Sequence, residues 1–151
     1  MTRVDFYISP DKATEANLRL ACRIAEKAYS KQNKIYIHVN GAEQAKNLDD
    51  LLWVFREGSF VPHCLYSNKT SNETSEEARQ EAAVIIGFEG LPEIQPDVLI
   101  NLADEVPNFF SRFERVAEIV GGDEPTRETA RARYKFYRER GYPLESHELN
   151  S

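Results

Sequence analysis

Residues 130–140, with the sequence ARARYKFYRER, carry an unusual concentration of positive charge. Five of these eleven residues are Lys or Arg, and Glu139 is the one acid among them. The whole chain is acidic, because 25 Asp and Glu outnumber 19 Lys and Arg to give a formal net charge of −6. Arginine binds carboxylates and phosphates through paired hydrogen bonds. The segment is therefore a candidate site for an acidic peptide or for nucleic acid, and a solvated helix face is the alternative.

A helical projection of this segment and of the residues before it gathers the bases on one side. With about 100° between successive residues, four bases fall within an arc of about 80°: Arg127, Arg131, Lys135 and Arg138. The aromatic side chain of Tyr134 lies beside this arc. Like charges one turn apart destabilise a helix slightly, so helix stability does not explain the cluster. A pocket near the turn 141–144 would suit a peptide that ends in a large apolar residue. The acidity of the whole chain makes broad nucleic-acid binding the weaker interpretation.

The adjacent pair His63 and Cys64 could in principle supply a base and a nucleophile. Neighbouring residues on an extended segment point to opposite faces, so these two side chains are poorly placed to share a proton. The other histidines, His38 and His147, lack the spacing to this pair that a metal site would show. We therefore predict no catalytic residue and no metal site, with a packing role for Cys64 and a turn hydrogen bond for His63.

Phosphate-binding and nucleophile motifs are absent, since the sequence contains neither G-x-G-x-x-G, G-x-x-x-x-G-K-[ST] nor G-x-S-x-G. No cofactor is therefore predicted. Cys22 and Cys64 are far apart in the chain, which favours a reducing cytoplasm over a disulfide-bonded secreted protein. The first residues do not resemble a signal peptide, and no apolar run reaches the roughly 18 residues of a membrane span.

The elements that must position these side chains alternate between strands and helices. Short runs rich in Val, Ile and Tyr predict strands at 4–8, 34–39, 83–88, 97–102 and 116–121. Apolar periodicity and end signals predict four helices: one with a buried stripe (Leu18, Ala21, Cys22, Ala25, Ala28 and Tyr29), then 41–55, 107–115 and 125–140, the last ending at Gly141. This alternation predicts an α/β protein with a mostly parallel sheet and helices on both faces.

The length of 151 residues is enough for one domain and short for two. We expect a single α/β domain over 1–144 and a flexible C-terminal tail over 145–151, because the last residues are polar. The stretch 67–82, SNKTSNETSEEARQEA, is the most polar part of the chain and predicts an exposed loop.

Three segments, taken in their order along the chain, carry a resemblance to a known family. They are VDFYI near the start, LDDLLWVFREGSFVPHCL at 48–65 and ARARYKFYRERGY at 130–142. With these segments the chain resembles the chi subunit of bacterial DNA polymerase III holoenzyme over nearly its whole length. The resemblance implies a Rossmann-like, three-layer α/β/α domain without a nucleotide site, and a cytoplasmic accessory subunit that is not an enzyme.

The resemblance also implies two protein partners, with DNA contacted only indirectly. One partner is the acidic C-terminal tail of single-stranded DNA-binding protein, which ends in Pro-Phe. Its site would include Arg131 for the terminal carboxylate, Lys135 for the aspartates of the tail, and Tyr134. Val120 and Leu144 would line the phenylalanine pocket. Arg127 and Arg138 are added to this site from the helical projection alone.

The second implied partner is the psi subunit of the clamp loader, expected as a 1:1 heterodimer. Its contacts fall on Trp53 and Phe60, with core packing as the alternative role for Trp53. Two other functions stay open on the residues alone. One is a nucleotide- or metal-dependent enzyme that uses His63 or Cys64, and the other is direct binding of single-stranded DNA through the basic helix.

Overall fold

The computed structural model of the chain describes residues 2–54, 61–66, 82–90 and 97–149. The predicted loop 67–82, apart from Ala82, and the predicted psi contact Phe60 lie outside these described residues. The last two residues of the predicted tail, 150 and 151, lie outside them as well.

Helices separate the strands in the first and last parts of the described chain, as predicted. In chain order they are β1 (Arg3–Ile8), α1 (Thr14–Ser30), β2 (Ile35–His38), α2 (Ala42–Val54), β3 (His63–Tyr66), β4 (Val84–Gly87), β5 (Val98–Asn101), a 3₁₀ helix (Phe110–Arg112), β6 (Arg115–Val120), α3 (Glu124–Glu139) and β7 (Leu144–Glu148). The five predicted strands are confirmed, while β3 and β7 were not predicted as strands.

The strands of the described residues form one sheet in the order β3-β4-β2-β5-β6-β1-β7, and all the described pairs are parallel. Alternate residues of a strand face opposite sides of the sheet. Ile35 and Ile37 therefore pack in the core beneath α1 and α2, whereas Tyr36 packs in the core beneath α3. The predicted three-layer α/β arrangement is confirmed.

Helix α1 has the apolar stripe that its sequence predicts, and most of this stripe is buried. Leu18, Cys22 and Ala25 are almost completely buried against the sheet. Tyr29, predicted as part of the same stripe, is 38% exposed at the C-terminal end of the helix. The stripe therefore ends at Ala28, which is partly buried against the core.

Helix α3 begins and ends within one residue of the predicted range. The Asp123 carboxylate caps its start by accepting hydrogen bonds from the Thr126 backbone N–H, at 3.2 Å, and from the Thr126 hydroxyl, at 2.7 Å. Gly141 has a φ of 79°, the left-handed conformation in which glycine ends helices without strain. Capping at both ends fixes which residues of the basic segment are helical.

The prediction of a helix over 107–115 is wrong. The structure has a single 3₁₀ turn, Phe110–Arg112, and the chain enters strand β6 at Arg115. Phe110 and Phe113 are both buried in the core beneath α3. An extended backbone at Phe113, with φ −100° and ψ 152°, leads directly into the strand. Tertiary packing of the aromatic rings thus overrides the helical pattern.

The prediction of a flexible tail from residue 145 is also wrong for residues 145–148. They belong to β7, which pairs with β1 so that Val4 lies opposite Leu144 and Ile8 opposite Glu148. The sequence of β7 is polar because this strand forms an edge of the described sheet, where much of it stays exposed to water. Polarity at the end of the chain therefore did not indicate disorder.

Among the described residues, no helix is both long enough and apolar enough to cross a membrane.

Candidate functional site

An open cavity of about 200 Å³ lies between helix α3 and the sheet. Its wall is mostly apolar, and two arginines contribute to it. The lining residues are Phe6, Ile8, Val120, Arg127, Ala130, Arg131, Tyr134 and Ser146. Four residues that the sequence proposed for a peptide tail, Val120, Arg127, Arg131 and Tyr134, therefore meet around one cavity.

The floor of the cavity comes from two neighbouring parallel strands. Phe6 and Ile8 are alternate residues of β1 and so face the same side, and Ile8 lies opposite Val120 of β6. Sequence reasoning did not select Phe6 and Ile8 for this site. Their alternation with Asp5 and Tyr7 was visible in the sequence, but which face α3 covers was not.

Helix α3 supplies the remaining wall through residues spaced for one helical face. Arg127, Ala130, Arg131 and Tyr134 are separated by three, one and three residues, so they share a side of the helix. Tyr134 packs edge to face against Phe6, with 5.3 Å between ring centroids. The aromatic contact holds the helix against β1 at the cavity.

Arg131 is already engaged in an ion pair. Its Nη1 donates to Oε1 of Glu124 at 3.1 Å, and both side chains are well exposed, at 65% and 71%. Arg127 is half-buried beside the cavity. Two guanidinium groups at the edge of an apolar cavity can together bind a group that has an apolar body and a carboxylate.

The other residues proposed for the tail do not line this cavity. Lys135 is exposed on α3, with its Nζ 3.9 Å from Oε1 of Glu139. Arg138 is exposed in the last turn of the helix. Leu144 packs against the core beneath α3, and Ser146, two residues further along β7, is the residue of that strand that lines the cavity. The cavity thus lies beside the middle of β7 and not at the turn 141–144.

A buried polar network fixes α3 to the sheet, and sequence reasoning missed it. The carboxylate of Glu118 on β6 is fully buried and accepts hydrogen bonds from Arg133 Nε at 2.8 Å and from the Tyr137 hydroxyl at 2.6 Å. Asn101 of β5 donates its Nδ2 to the same carboxylate, at 3.1 and 3.0 Å from its two oxygens. A glutamate inside an apolar strand, followed by a base-rich helix, is the sequence signal that could have revealed this pair.

The environment of Glu118 acts on its pKa in both directions. Burial raises the pKa, while the charge of Arg133 and hydrogen bonds from Tyr137, Asn101 and Arg133 act to lower it. Burial is the larger effect, so the pKa of Glu118 is raised above its ordinary value. Arg133 also donates Nη1 to the Asp104 carbonyl oxygen at 3.0 Å, which ties α3 to the loop after β5.

Phe136, which lies away from the basic arc on the helical projection, has a packing role. Its ring meets Phe110 edge to face, with centroids 5.7 Å apart. The Arg140 guanidinium carbon lies 3.6 Å from the centroid of the Phe136 ring, in a cation–π contact. The residue therefore anchors the C-terminal half of α3 and does not belong to the cavity.

A second candidate surface lies at the end of α2. Trp53 is 57% exposed and Val54 73% exposed, which excludes the core-packing alternative for Trp53. The Trp53 ring packs edge to face on His63 of β3, with centroids 4.9 Å apart. An indole held in position yet exposed to this degree is typical of a protein-binding surface.

His63 and Cys64 pack on opposite sides of the sheet, His63 against α2 and Cys64 on the α3 side. The His63 ring is buried, with Nδ1 2.7 Å from the Val61 carbonyl oxygen, as expected for a turn hydrogen bond, and Nε2 3.2 Å from Oδ1 of Asp49. Burial raises the pKa of Asp49, and its attraction to His63 opposes that rise. Cys64 instead packs against the core on the α3 side of the sheet.

Asp5, Glu145 and His147 come together where β1 and β7 pair, and their ligand atoms lie within 4.8 Å of one another. This spacing could hold a metal ion, but both carboxylates already have arginine partners. Arg115 Nη2 lies 3.0 Å from Oδ2 of Asp5, and Arg3 Nη2 lies 3.2 Å from Oε2 of Glu145. The arginines offset the negative charge that would attract a cation, so this cluster is better described as an ion-pair network.

Comparison with known proteins gives one consistent family. The family model described as DNA polymerase III chi subunit, HolC, matches residues 1–145. Three relatives carry the name DNA polymerase III subunit chi. The protein from Pseudomonas aeruginosa is 43% identical over 149 residues, covering 99% of this chain and 98% of the relative. Those from Haemophilus influenzae and Escherichia coli are 31% and 30% identical, covering 92% and 95% of this chain and 92% and 96% of the relatives.

Solved structures with a similar fold come from proteins with little sequence similarity. The crystal structure of T4 UvsW matches with a TM-score of 0.68 at 9% identity, covering 99% of this chain and 42% of that one. The C-terminal domain of the DEAD-box protein Dbp5 matches with a TM-score of 0.66 at 12% identity, covering 97% and 90%. At these identities the likeness shows the α/β fold alone.

Proposed function

The chain belongs to the DNA polymerase III chi subunit family, and on this premise we propose that it is a replication adaptor without catalytic activity. It would bind the acidic C-terminal tail of single-stranded DNA-binding protein at the cavity beside α3. Through the psi subunit it would link that protein to the clamp loader. Such a link would stabilise the polymerase on template strands coated with single-stranded DNA-binding protein.

The observation that carries the proposal is an apolar cavity bordered by two arginines on an otherwise acidic protein. A cavity of about 200 Å³ is large enough for one aromatic ring, since an apolar cavity of roughly 150 Å³ accommodates benzene. The terminal phenylalanine of the tail would place its ring against Phe6, Val120 and Tyr134. Its carboxylate would bind Arg131, which borders the same cavity.

The charges beyond the cavity would engage the rest of the tail. Lys135 and Arg138 continue along the exposed side of α3 and would attract the aspartates that precede Pro-Phe. Burial of the phenylalanine side chain would contribute roughly 1.5–3 kcal/mol. Charge-assisted hydrogen bonds to its carboxylate would contribute roughly 1.5–3 kcal/mol each. After the cost of ordering the peptide, we expect a dissociation constant near the micromolar level, which corresponds to a binding free energy of about −8 kcal/mol.

The psi subunit would bind at the end of α2. Exposure of Trp53 and Val54 supports this surface, because large exposed apolar side chains often anchor protein partners. Phe60, proposed for the same contact, follows α2 by six residues in the sequence. On this proposal the two partners would use opposite sides of the sheet.

Replacement of Arg131 tests the tail-binding site. Arg131→Ala should weaken binding of a fluorescent acidic peptide ending in Pro-Phe at least about tenfold, since one charge-assisted contact is lost. Fluorescence anisotropy measures the affinity, which should also fall with added salt. Arg23→Ala is the matched control, because it removes one exposed arginine from α1 on the other side of the sheet.

Two results would count against the proposal. Equal affinities of the wild type and Arg131→Ala would remove Arg131 from the site. Tight binding to naked single-stranded oligonucleotide that is lost with Arg131→Ala would favour direct nucleic-acid binding through α3 over binding of the tail.

A further inference from the structure

The guanidinium proposed to bind the tail carboxylate already holds a carboxylate of this chain. Glu124 lies in the first turn of α3, seven residues before Arg131, and its Oε1 accepts from Arg131 Nη1 at 3.1 Å. Arg131 lines the apolar cavity and Glu124 does not. The ion pair therefore lies beside the cavity and leaves the cavity itself open.

We propose that Glu124 is an affinity-determining residue that competes, within the chain, with the terminal carboxylate of the ligand for Arg131. This inference rests on the proposed function and concerns the regulation of the same site. A tail carboxylate that approaches Arg131 must either displace Glu124 or bind next to its negative charge. Both routes reduce the net gain from the new ion pair, because a cation shared between two carboxylates attracts each of them less.

Of the two arginines that line the cavity, Arg131 is paired with an acid, Glu124. A second ion pair on the exposed face of α3 joins Lys135 to Glu139, at the longer distance of 3.9 Å. In the described part of the chain, Arg127 forms no ion pair within 4.0 Å. Arg127 therefore stays available to attract the ligand, while Arg131 already has a carboxylate beside it.

Removal of the competitor should strengthen binding, which is the opposite of what loss of a supporting residue would do. Glu124→Gln keeps the size of the side chain and removes its charge. Exposed ion pairs have small free energies, so we expect the variant to bind the peptide about two- to fivefold more tightly than the wild type. Its affinity should also depend more steeply on salt, since binding then creates an ion pair and no longer exchanges one.

The experiment measures the binding of two peptides to the wild type and its variants by fluorescence anisotropy. The peptides are the same acidic sequence ending in Pro-Phe, with either a free carboxylate or a C-terminal amide. Glu124→Gln should improve binding of the free acid and leave binding of the amide within about 1.5-fold, because the amide cannot compete for Arg131. The matched control is Glu43→Gln, which removes an exposed acid from the first turn of α2, on the other side of the sheet.

The control separates the local pair from a general change in charge or helix stability. Glu43→Gln lowers the net negative charge equally and also removes an acid from a helix N-terminus, yet it should leave both affinities unchanged. Combining Glu124→Gln with Arg131→Ala should abolish the gain that Glu124→Gln gives alone. Thermal denaturation of each variant checks that the fold is retained.

The outcomes are distinguishable. If the wild type binds the free-acid peptide but Glu124→Gln binds it equally well or more weakly, the competitor role is wrong and the proposed function stands. Equal improvement for the acid and the amide would show long-range repulsion in place of competition, and would also overturn the inference. If the wild type binds neither peptide, the proposed function itself fails.

Discussion

Glu118 shows how one residue can fix the place of a whole helix. Its buried carboxylate binds Arg133 and Tyr137 of α3 and Asn101 of β5 at the same time. Loss of one partner of such a buried pair leaves an unpaired charge, which is far more costly than replacement of the whole pair. The network therefore holds α3 in a single position relative to β6, and with it the arginines beside the cavity.

His38 is a second residue whose burial has a measurable consequence. Its ring packs against Tyr36 and Phe109, and in the described part of the chain its buried Nδ1 has no hydrogen-bond partner. Burial lowers the pKa of His38 from its ordinary value of 6.5. The unfolded chain therefore takes up this proton at a higher pH than the folded chain does.

The sign of the pH effect follows from that difference. The pKa of His38 in the unfolded chain is 6.5, and above this pH the contribution of neutral His38 to stability is fully present. That contribution is lost as the pH falls through the lower pKa that His38 has in the folded protein. Stability should therefore decrease between pH 7.5 and pH 5 in the wild type, and decrease less in His38→Gln. Urea denaturation at both pH values measures the two differences. Equal pH dependence in the two proteins would show that His38 does not cause the decrease.

At the scale of elements, β7 closes the sheet beside the cavity and brings Ser146 into its wall. The strand is held through β1 alone among the described strands, by alternating backbone hydrogen bonds. The Val4 N–H donates to the Pro143 carbonyl oxygen, and the Leu149 N–H donates to the Ile8 carbonyl oxygen. This alternation directs the N–H of Glu145 toward β1 and the N–H of Ser146 away from it.

Proline substitutions distinguish a paired strand from a disordered tail. Glu145→Pro removes an N–H that faces buried β1, and should lower the free energy of unfolding by roughly 1–3 kcal/mol. Ser146→Pro removes an N–H that points away from the sheet and should cost clearly less. Chemical denaturation of both variants gives the comparison. Equal small effects would mean that this segment is not held in the sheet in solution.

Local and tertiary signals agree for α3 and conflict for the 3₁₀ segment, which is why only the first was predicted well. Helix α3 has its own end signals in Asp123 and Gly141, which act through local hydrogen bonds and backbone conformation. The segment over 107–115 has helical periodicity, but Phe110 and Phe113 are drawn into a core built by distant residues. Local signals fix an element only where tertiary packing agrees with them.

At the scale of the whole molecule, the sheet separates the two proposed partner surfaces. The cavity lies on the α3 side, whereas Trp53 lies at the end of α2, which packs on the other side. Mutations at sites that are well separated and share no partner usually have additive effects. The two surfaces should therefore be separable by mutation.

Trp53→Ala and Arg131→Ala test this separation. Trp53→Ala should weaken binding of the psi subunit by about 2 kcal/mol, roughly thirtyfold, as expected for a central aromatic contact. The same variant should change affinity for the tail peptide less than about twofold, and Arg131→Ala should show the reverse pattern. Calorimetric titration with each partner measures both. If psi binding survives Trp53→Ala, the second surface is misplaced.

Much of the fold and part of the site followed from the sequence. Apolar runs predicted five of the described strands, and periodicity with end signals predicted the α-helices that the structure describes. The helical projection grouped Arg127, Arg131 and Tyr134, which do line one cavity. These predictions succeeded because strand and helix periodicity are properties of the local backbone. The assignment of that cavity to a peptide tail remains a prediction.

The sequence by itself determined the family, the α/β alternation and the basic face of α3. Only the tertiary structure decided that Phe6, Ile8 and Ser146 complete the lining of the cavity and that the turn after α3 does not take part in it. It also decided that polar residues 145–148 form a strand, and that Glu118 is buried against Arg133. The physical reason is that these features depend on contacts between residues far apart in sequence, for which local propensity and spacing carry little information.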